Sequence, residues 1–180
     1  MSRRFGPIRQ IAFVVPDIDT AMRHWTDVLG IGPFHVKRRI RFDPFLYRGE
    51  AARSPTLSIA LANSGALQVE LIEQHCATPS IYRDYTAVSG SGLQHVAAWT
   101  DKPGFDELRA DLLHQGLSIV QECVIPVSGV RLCYFATDNE AAPVFEIADL
   151  LDPAQQPRIE RIREDAARWD GGAGVIEVDC

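Results

Sequence analysis

The chain carries one strand-like stretch twice, and this internal repeat limits its possible folds more than any other feature. Residues 92–100 read GLQHVAAWT, an apolar run interrupted by His95, and residues 8–15 read IRQIAFVV. With Gln10 set against His95, Ile11 and Ala12 fall on Val96 and Ala97. Each run then passes through a turn into a helical pattern closed by a glycine, Gly30 in one case and Gly116 in the other.

The first copy continues in an order that the second repeats. Pro16 stops the opening strand, and Asp17 is a good N-cap with Asp19 adding charge in the first turn. Ile18, Ala21, Met22, Trp25, Val28 and Leu29 then recur at helical spacing. Strands are predicted at 34–40, 56–62 and 67–74, the last two joined through Asn63-Ser64-Gly65. Residues 41–55, with Phe42, Phe45, Leu46 and Tyr47, are too apolar for a linker and are expected to fold over a cavity as a lid. A polar connector spans 76–91 and ends in Ser89-Gly90-Ser91-Gly92.

After the strand of His95, Phe105, Leu108, Leu112 and Leu113 mark the inward side of a second helix. Strands are predicted at 117–125, 130–136 and 143–149. The reading is an α+β fold of two tandem β-α-β-β-β modules, 8–75 and 92–150, within one domain over 1–150. Residues 151–180 form an appendage. Ile159, Ile162, Ala166 and Trp169 give it an amphipathic helix that packs on the body or on another subunit. Beyond the glycines at 171, 172 and 174, residues 175–180 suit either a frayed end or an edge strand.

Composition narrows the function classes. The formal charge is −6, which offers no electrostatic footprint for nucleic acid or an anionic membrane surface. No run reaches the about 18 apolar residues of a membrane span, and no signal-peptide apolar region follows the start, so a cytoplasmic protein is expected. Cys76, Cys123, Cys133 and Cys180 lack metal or redox spacing and read as reduced thiols, Cys180 on a loose tail. Arg38, Arg39 and Arg41 form the notable basic cluster, either a solvated strand face or an anchor for an anionic substrate.

Side chains alternate along a strand, so Gln10, Ala12 and Val14 share one face, as do Leu93, His95, Ala97 and Trp99. Gln10 and His95 are polar groups on buried strands and need partners. Glu70 in LQVELIE and Glu146 in PVFEIAD interrupt apolar runs at equivalent places of the two copies. The repeat therefore groups Gln10, Glu70, His95 and Glu146 as a symmetric set, with Ala12 and Ala97 leaving space beside it. His24, His35, His75 and His114 read as surface histidines.

The opening IRQIAFVVPDIDTAMRHWTDVLGIGPF, with LQVELIEQ, GLQHVAAWTD and VFEIADL, resembles the vicinal oxygen chelate superfamily of glyoxalase I, methylmalonyl-CoA epimerase, extradiol dioxygenases and bleomycin-resistance proteins. The resemblance implies curved mixed sheets around a cleft, with a divalent metal held by residues of each module's first and last strands. Here those residues are Gln10, Glu70, His95 and Glu146. An amide oxygen, two carboxylates and one imidazole form an oxygen-rich set suited to Mg, Mn, Co, Ni or Zn. Many relatives have histidine where this chain has Gln10. An extradiol dioxygenase would carry two histidines and one carboxylate, which disfavours that reaction.

The resemblance thus implies a metal-dependent isomerase, epimerase or glyoxalase-like lyase, slightly closer to methylmalonyl-CoA epimerase than to glyoxalase I. Its substrate would be a small carbonyl compound with a neighbouring oxygen, losing the proton alpha to the carbonyl. Glu146 is the first candidate base and Glu70 the second. Phe42, Phe45, Tyr47, Trp99 and Tyr134 are candidate pocket residues, and relatives are commonly homodimers. The alternative is a protein that sequesters a drug or metabolite without turnover, as bleomycin-resistance relatives do.

Overall fold

Local chemistry starts both halves in the same way. β1 (Gln10–Val14) is followed by α1 (Ile18–Asp27), whose cap Asp17 accepts through Oδ1 from the Thr20 N–H at 2.7 Å. The first half adds β2 (Phe34–Ile40), β3 (Phe45–Tyr47), β4 (Glu50–Ala51), β5 (Leu57–Ser64) and β6 (Leu67–Gln74). A helix, α2 (Ile81–Ser89), precedes β7 (Gly92–Trp99) and α3 (Lys102–His114). Asp101 caps α3 by accepting from the Gly104 N–H at 2.8 Å. β8 (Ser118–Val124), β9 (Arg131–Ala136), β10 (Val144–Ala148), α4 (Gln156–Arg168) and β11 (Val175–Glu177) complete the order. This computed structural model describes residues 2–136 and 143–179.

The described strands join in one mixed sheet, ordered β11-β2-β5-β6-β1-β7-β10-β9-β8-β3-β4. The halves meet where β1 pairs antiparallel with β7, and each of these central strands pairs in parallel with the last strand of its own half, β6 or β10. Apolar periodicity explains where the helices lie. Ile18 and Met22 of α1 pack with Phe34, Val36, Val69 and Leu71, and Phe105, Leu108 and Leu112 of α3 pack with Phe135 and Ile147. A third apolar cluster fills the opposite, concave side of the sheet, with Val14, Leu57, Ile72, Tyr82 and Trp99 among its members.

Two expectations change here, and one open alternative is decided. The connector 76–91 contains α2, because Ser80 accepts through Oγ from the Arg83 N–H and Ile81 and Tyr82 bury themselves against the sheet. The supposed lid of 41–55 is partly strand: β3 pairs antiparallel with β8, extending the edge of the other half. The last residues are paired, since β11 lies parallel to β2. α4 packs on the body of the same chain, against β5. Among the described residues no helix is long and apolar enough to cross a membrane. Cys76, Cys123 and Cys133 are free thiols, and Cys180 lies outside the described residues.

Candidate metal centre

Strand register sets the site. Gln68, Gln10, Ala97, Glu146, Tyr134 and Gln121 face one another in a single row across β6, β1, β7, β10, β9 and β8. In the neighbouring row Glu70, Ala12, His95 and Val144 are aligned. Ala12 thus separates Glu70 from His95, and Ala97 separates Gln10 from Glu146. Both alanines are fully buried, and their lack of bulk leaves the longer side chains room to converge above them.

They do converge. His95 Nε2 lies 3.0 Å from Glu146 Oε2 and 3.3 Å from Glu70 Oε2, and one donor atom from each of the three falls within 4.8 Å of the others. Gln10 is also buried, and its Nε2 donates to Gln68 Oε1 at 2.8 Å, so its amide nitrogen is turned to a neighbour in the same row. The four residues grouped by the repeat occupy adjacent positions on the concave face.

A bulge fixes the histidine ring. Between Ala12 and Phe13 the β1–β7 register skips Gln94, and the Gln94 side chain reaches its neighbour, with Oε1 2.7 Å from His95 Nδ1. An amide oxygen there accepts from Nδ1–H, which turns Nε2 toward the two carboxylates. Tyr134 packs edge-on against the ring, with centroids 5.3 Å apart, and accepts at its hydroxyl from Tyr82 Oη at 3.0 Å.

Two buried carboxylates beside one imidazole favour a positive charge among these groups. Burial would lower the His95 pKa, but the hydrogen-bonding and charge effects of Glu146 and Glu70 raise it to about 9. Burial raises the Glu70 pKa, with His95 opposing. Yet His95 Nε2 makes no well-aligned hydrogen bond to either carboxylate. A proton on that nitrogen satisfies the charge and leaves the geometry poor. A divalent ion would satisfy both, and Glu70, His95 and Glu146 offer donor atoms of the kind it takes, so the residues fit a metal.

A cavity of about 80 Å³ adjoins the cluster. Gln10, Gln68, Glu70, Tyr134 and Glu146 form its polar floor, and Ile40, Phe42, Ile59 and Leu132 are among its apolar walls. α4 roofs it with Arg158, Ile159 and Ile162, and Gln155, the residue before that helix, lines it too. Of the five aromatics expected at a pocket, Phe42 and Tyr134 line the cavity. Phe45, Tyr47 and Trp99 do not, because Phe45 and Trp99 pack within the apolar cluster of the concave side and Tyr47 turns its hydroxyl to Asp84 Oδ2 at 2.7 Å.

Sequence reading missed several cavity residues. His35, expected at the surface, is buried beneath α4 with Nε2 3.0 Å from Asp165 Oδ2. Burial pulls its pKa down, opposed by Asp165. Alternation had a usable signal, since His35 aligns with Leu61 and Leu61 with Glu70 in the same row as His95. Lys37 follows at the next position on that face. Nothing in the repeat points to Arg158, which belongs to the appended helix. Of the basic cluster, Arg38 is tied to Asp19 and Glu177.

Comparison with known proteins agrees with this architecture. A family model described as Glyoxalase/Bleomycin resistance protein/Dioxygenase superfamily matches residues 9–135. No curated protein matches the sequence. Among solved structures, methylmalonyl-CoA epimerase from Mycobacterium tuberculosis superposes with a TM-score of 0.58 at 16% identity, over 88% of this chain and 96% of that one. A variant of the Streptomyces coelicolor methylmalonyl-CoA epimerase in complex with 2-nitronate-propionyl-CoA gives 0.56 at 19%, over 79% and 92%. A hypothetical protein from Bacillus halodurans C-125 gives 0.55 at 16%, over 79% and 92%. At these identities the likeness is one of fold.

Proposed function

Since the chain belongs to the Glyoxalase/Bleomycin resistance protein/Dioxygenase superfamily, we propose that it is a metal-dependent isomerase, epimerase or lyase that removes the proton alpha to a carbonyl. The observation that carries this reading is the convergence of Glu70, His95 and Glu146 around a histidine nitrogen aligned with neither carboxylate. These three, with Gln10 adjoining, would hold the ion. When bound, a divalent ion acts as a Lewis acid that stabilises the negative charge developing on an enolate oxygen.

The chain's own groups supply the rest. A base must reach the substrate and accept a proton near neutral pH. The sequence ranks Glu146 ahead of Glu70, but we prefer Glu70 on two grounds. The Glu70 side chain is 11% exposed against 3% for Glu146, and burial raises its pKa in the direction a base requires. Glu146 then serves as ligand alone. The Gln94 amide holds the imidazole in orientation, and the apolar walls with Ile159 and Ile162 above them keep bulk water from a carbanion. The site's single histidine speaks against an extradiol dioxygenase, which needs two.

Two measurements test the proposal. Elemental analysis of protein purified without chelator should find about one divalent ion per chain, and Glu146→Gln should lose it. Candidate carbonyl compounds should exchange an acidic C–H for deuterium with the unaltered protein only. Absence of metal from the unaltered protein would sink the proposal, and stoichiometric metal without exchange would favour a sequestering role.

A further inference from the structure

The cavity of about 80 Å³ is well below the roughly 300–1,000 Å³ of pockets that enclose a whole small molecule. A groove of about 560 Å³ lies outside it, between α4 and the edge formed by β2 and β11, and His35, Lys37, Arg158 and Ile162 line both spaces. Those four side chains form the partition between groove and cavity, and two of them are cations.

Among the described residues neither Lys37 nor Arg158 forms a salt bridge, and Glu70 acts on Arg158 from beyond that distance. The acids near them are engaged: Asp165 with His35 and Arg161, and Glu177 with Arg38. Asp179 lines the groove and does not reach the cavity. Burial pulls the Arg158 pKa down, with Glu70 opposing, so this guanidinium is held partly out of water without an anion against it. A carboxylate or phosphate supplies that partner through two parallel hydrogen bonds.

We propose that the substrate carries a second anionic group, separate from the oxygens that meet the cluster, and that Arg158 with Lys37 binds this group where the groove opens into the cavity. The reactive end then occupies the small cavity beside Glu70, and the body of the substrate extends into the groove. The proposal rests on the proton-transfer reading for which end reacts. Its test does not, because binding of the anion is measured without turnover.

Hexanesulfonate, hexanoate, hexyl phosphate and uncharged hexanamide share one apolar chain and differ in the head group. Calorimetric titration of the full-length protein should show at least one anion bound about tenfold or more tighter than hexanamide. Arg158→Gln should remove most of that advantage while leaving hexanamide affinity unchanged. Arg158→Lys should retain part of it, Lys37→Gln should lose less than Arg158→Gln, and Arg163→Gln on the exposed side of α4 should change nothing. Sulfonate is a poor metal ligand, so its advantage should persist after chelator treatment. A tighter hexanoate assigns the group as a carboxylate and a tighter hexyl phosphate as a phosphate ester, either of which supports the proposal. Equal binding of hexanamide and the anions, an undiminished preference in a melting-competent Arg158→Gln, or no saturable anion binding overturns it. Loss of the metal reading alone would leave the sulfonate result intact.

Discussion

The two halves share a plan on the helix side of the sheet and part company on the other. Beneath α1 and α3 the packing is parallel in kind: each helix buries an apolar stripe on the strands of its own half. On the concave side the second half is plugged. α2 inserts Tyr82 against Tyr134, and the Ile81 N–H donates to Gln121 Oε1 at 3.2 Å. The first half is instead roofed by α4, which leaves the cavity beneath it. The repeat therefore sets where the converging side chains lie, and two helices outside the repeat decide from which side they can be reached.

The sharpest test compares the equivalent positions 95 and 10. In metal-free protein, His95→Ala removes the sole cation between two buried carboxylates and should cost about 3–5 kcal/mol in denaturant unfolding. Gln10→Ala strands only the Gln68 amide and should cost about 1–2 kcal/mol. Similar costs would mean that the halves are equivalent at this register after all. The pH dependence has a definite sign. The folded His95 pKa, about 9, exceeds its ordinary value of 6.5, so its stabilisation is complete below pH 6.5 and is lost as pH rises through 9. The raised Glu70 pKa favours low pH in the same sense. The melting temperature of metal-free protein should accordingly fall across that window, and saturating divalent metal should flatten the fall.

Plug and roof should differ in kind as well as size. Tyr82→Ala empties a fully enclosed volume and should cost about 3–4 kcal/mol. Ile162→Ala, beneath α4, should cost about 2–3 kcal/mol and in addition speed hydrogen exchange in β5, where the roof rests. Faster exchange in Tyr82→Ala rather than Ile162→Ala would reverse the assignment of the accessible side. The smallest effect should come from making the halves alike: Gln10→His should leave stability within about 1 kcal/mol and move metal preference from Mg or Mn toward Zn or Co in competition titrations.

Most of the sheet, the neighbouring rows that hold Gln10, Glu70, His95 and Glu146, and the convergence of the last three were legible because period-two alternation and an internal repeat together fix register, and register fixes which side chains share a row. Reading began to fail where a segment's partner lies outside its own half. Tyr47 alternates like any strand residue, yet only the position of β8 makes Phe45–Tyr47 a strand. Ile81 and Tyr82 sit in a polar stretch whose composition hides a buried turn of helix. Burial of His35 depends on Asp165, contributed by α4, which no local pattern around His35 can reveal.

The crossing of edges has a consequence for how the molecule can be assembled. β3 leaves the first half to protect the outer edge of β8, and β11 returns from the far end of the chain to protect β2. A fragment containing either half alone would bare a long unpaired edge, the usual template for aggregation. Both pairings also join residues distant in sequence, which places them among the slow, entropically costly steps of folding. The duplicated halves are thus interlocked at their outer edges, each covered there by a segment from outside its own module.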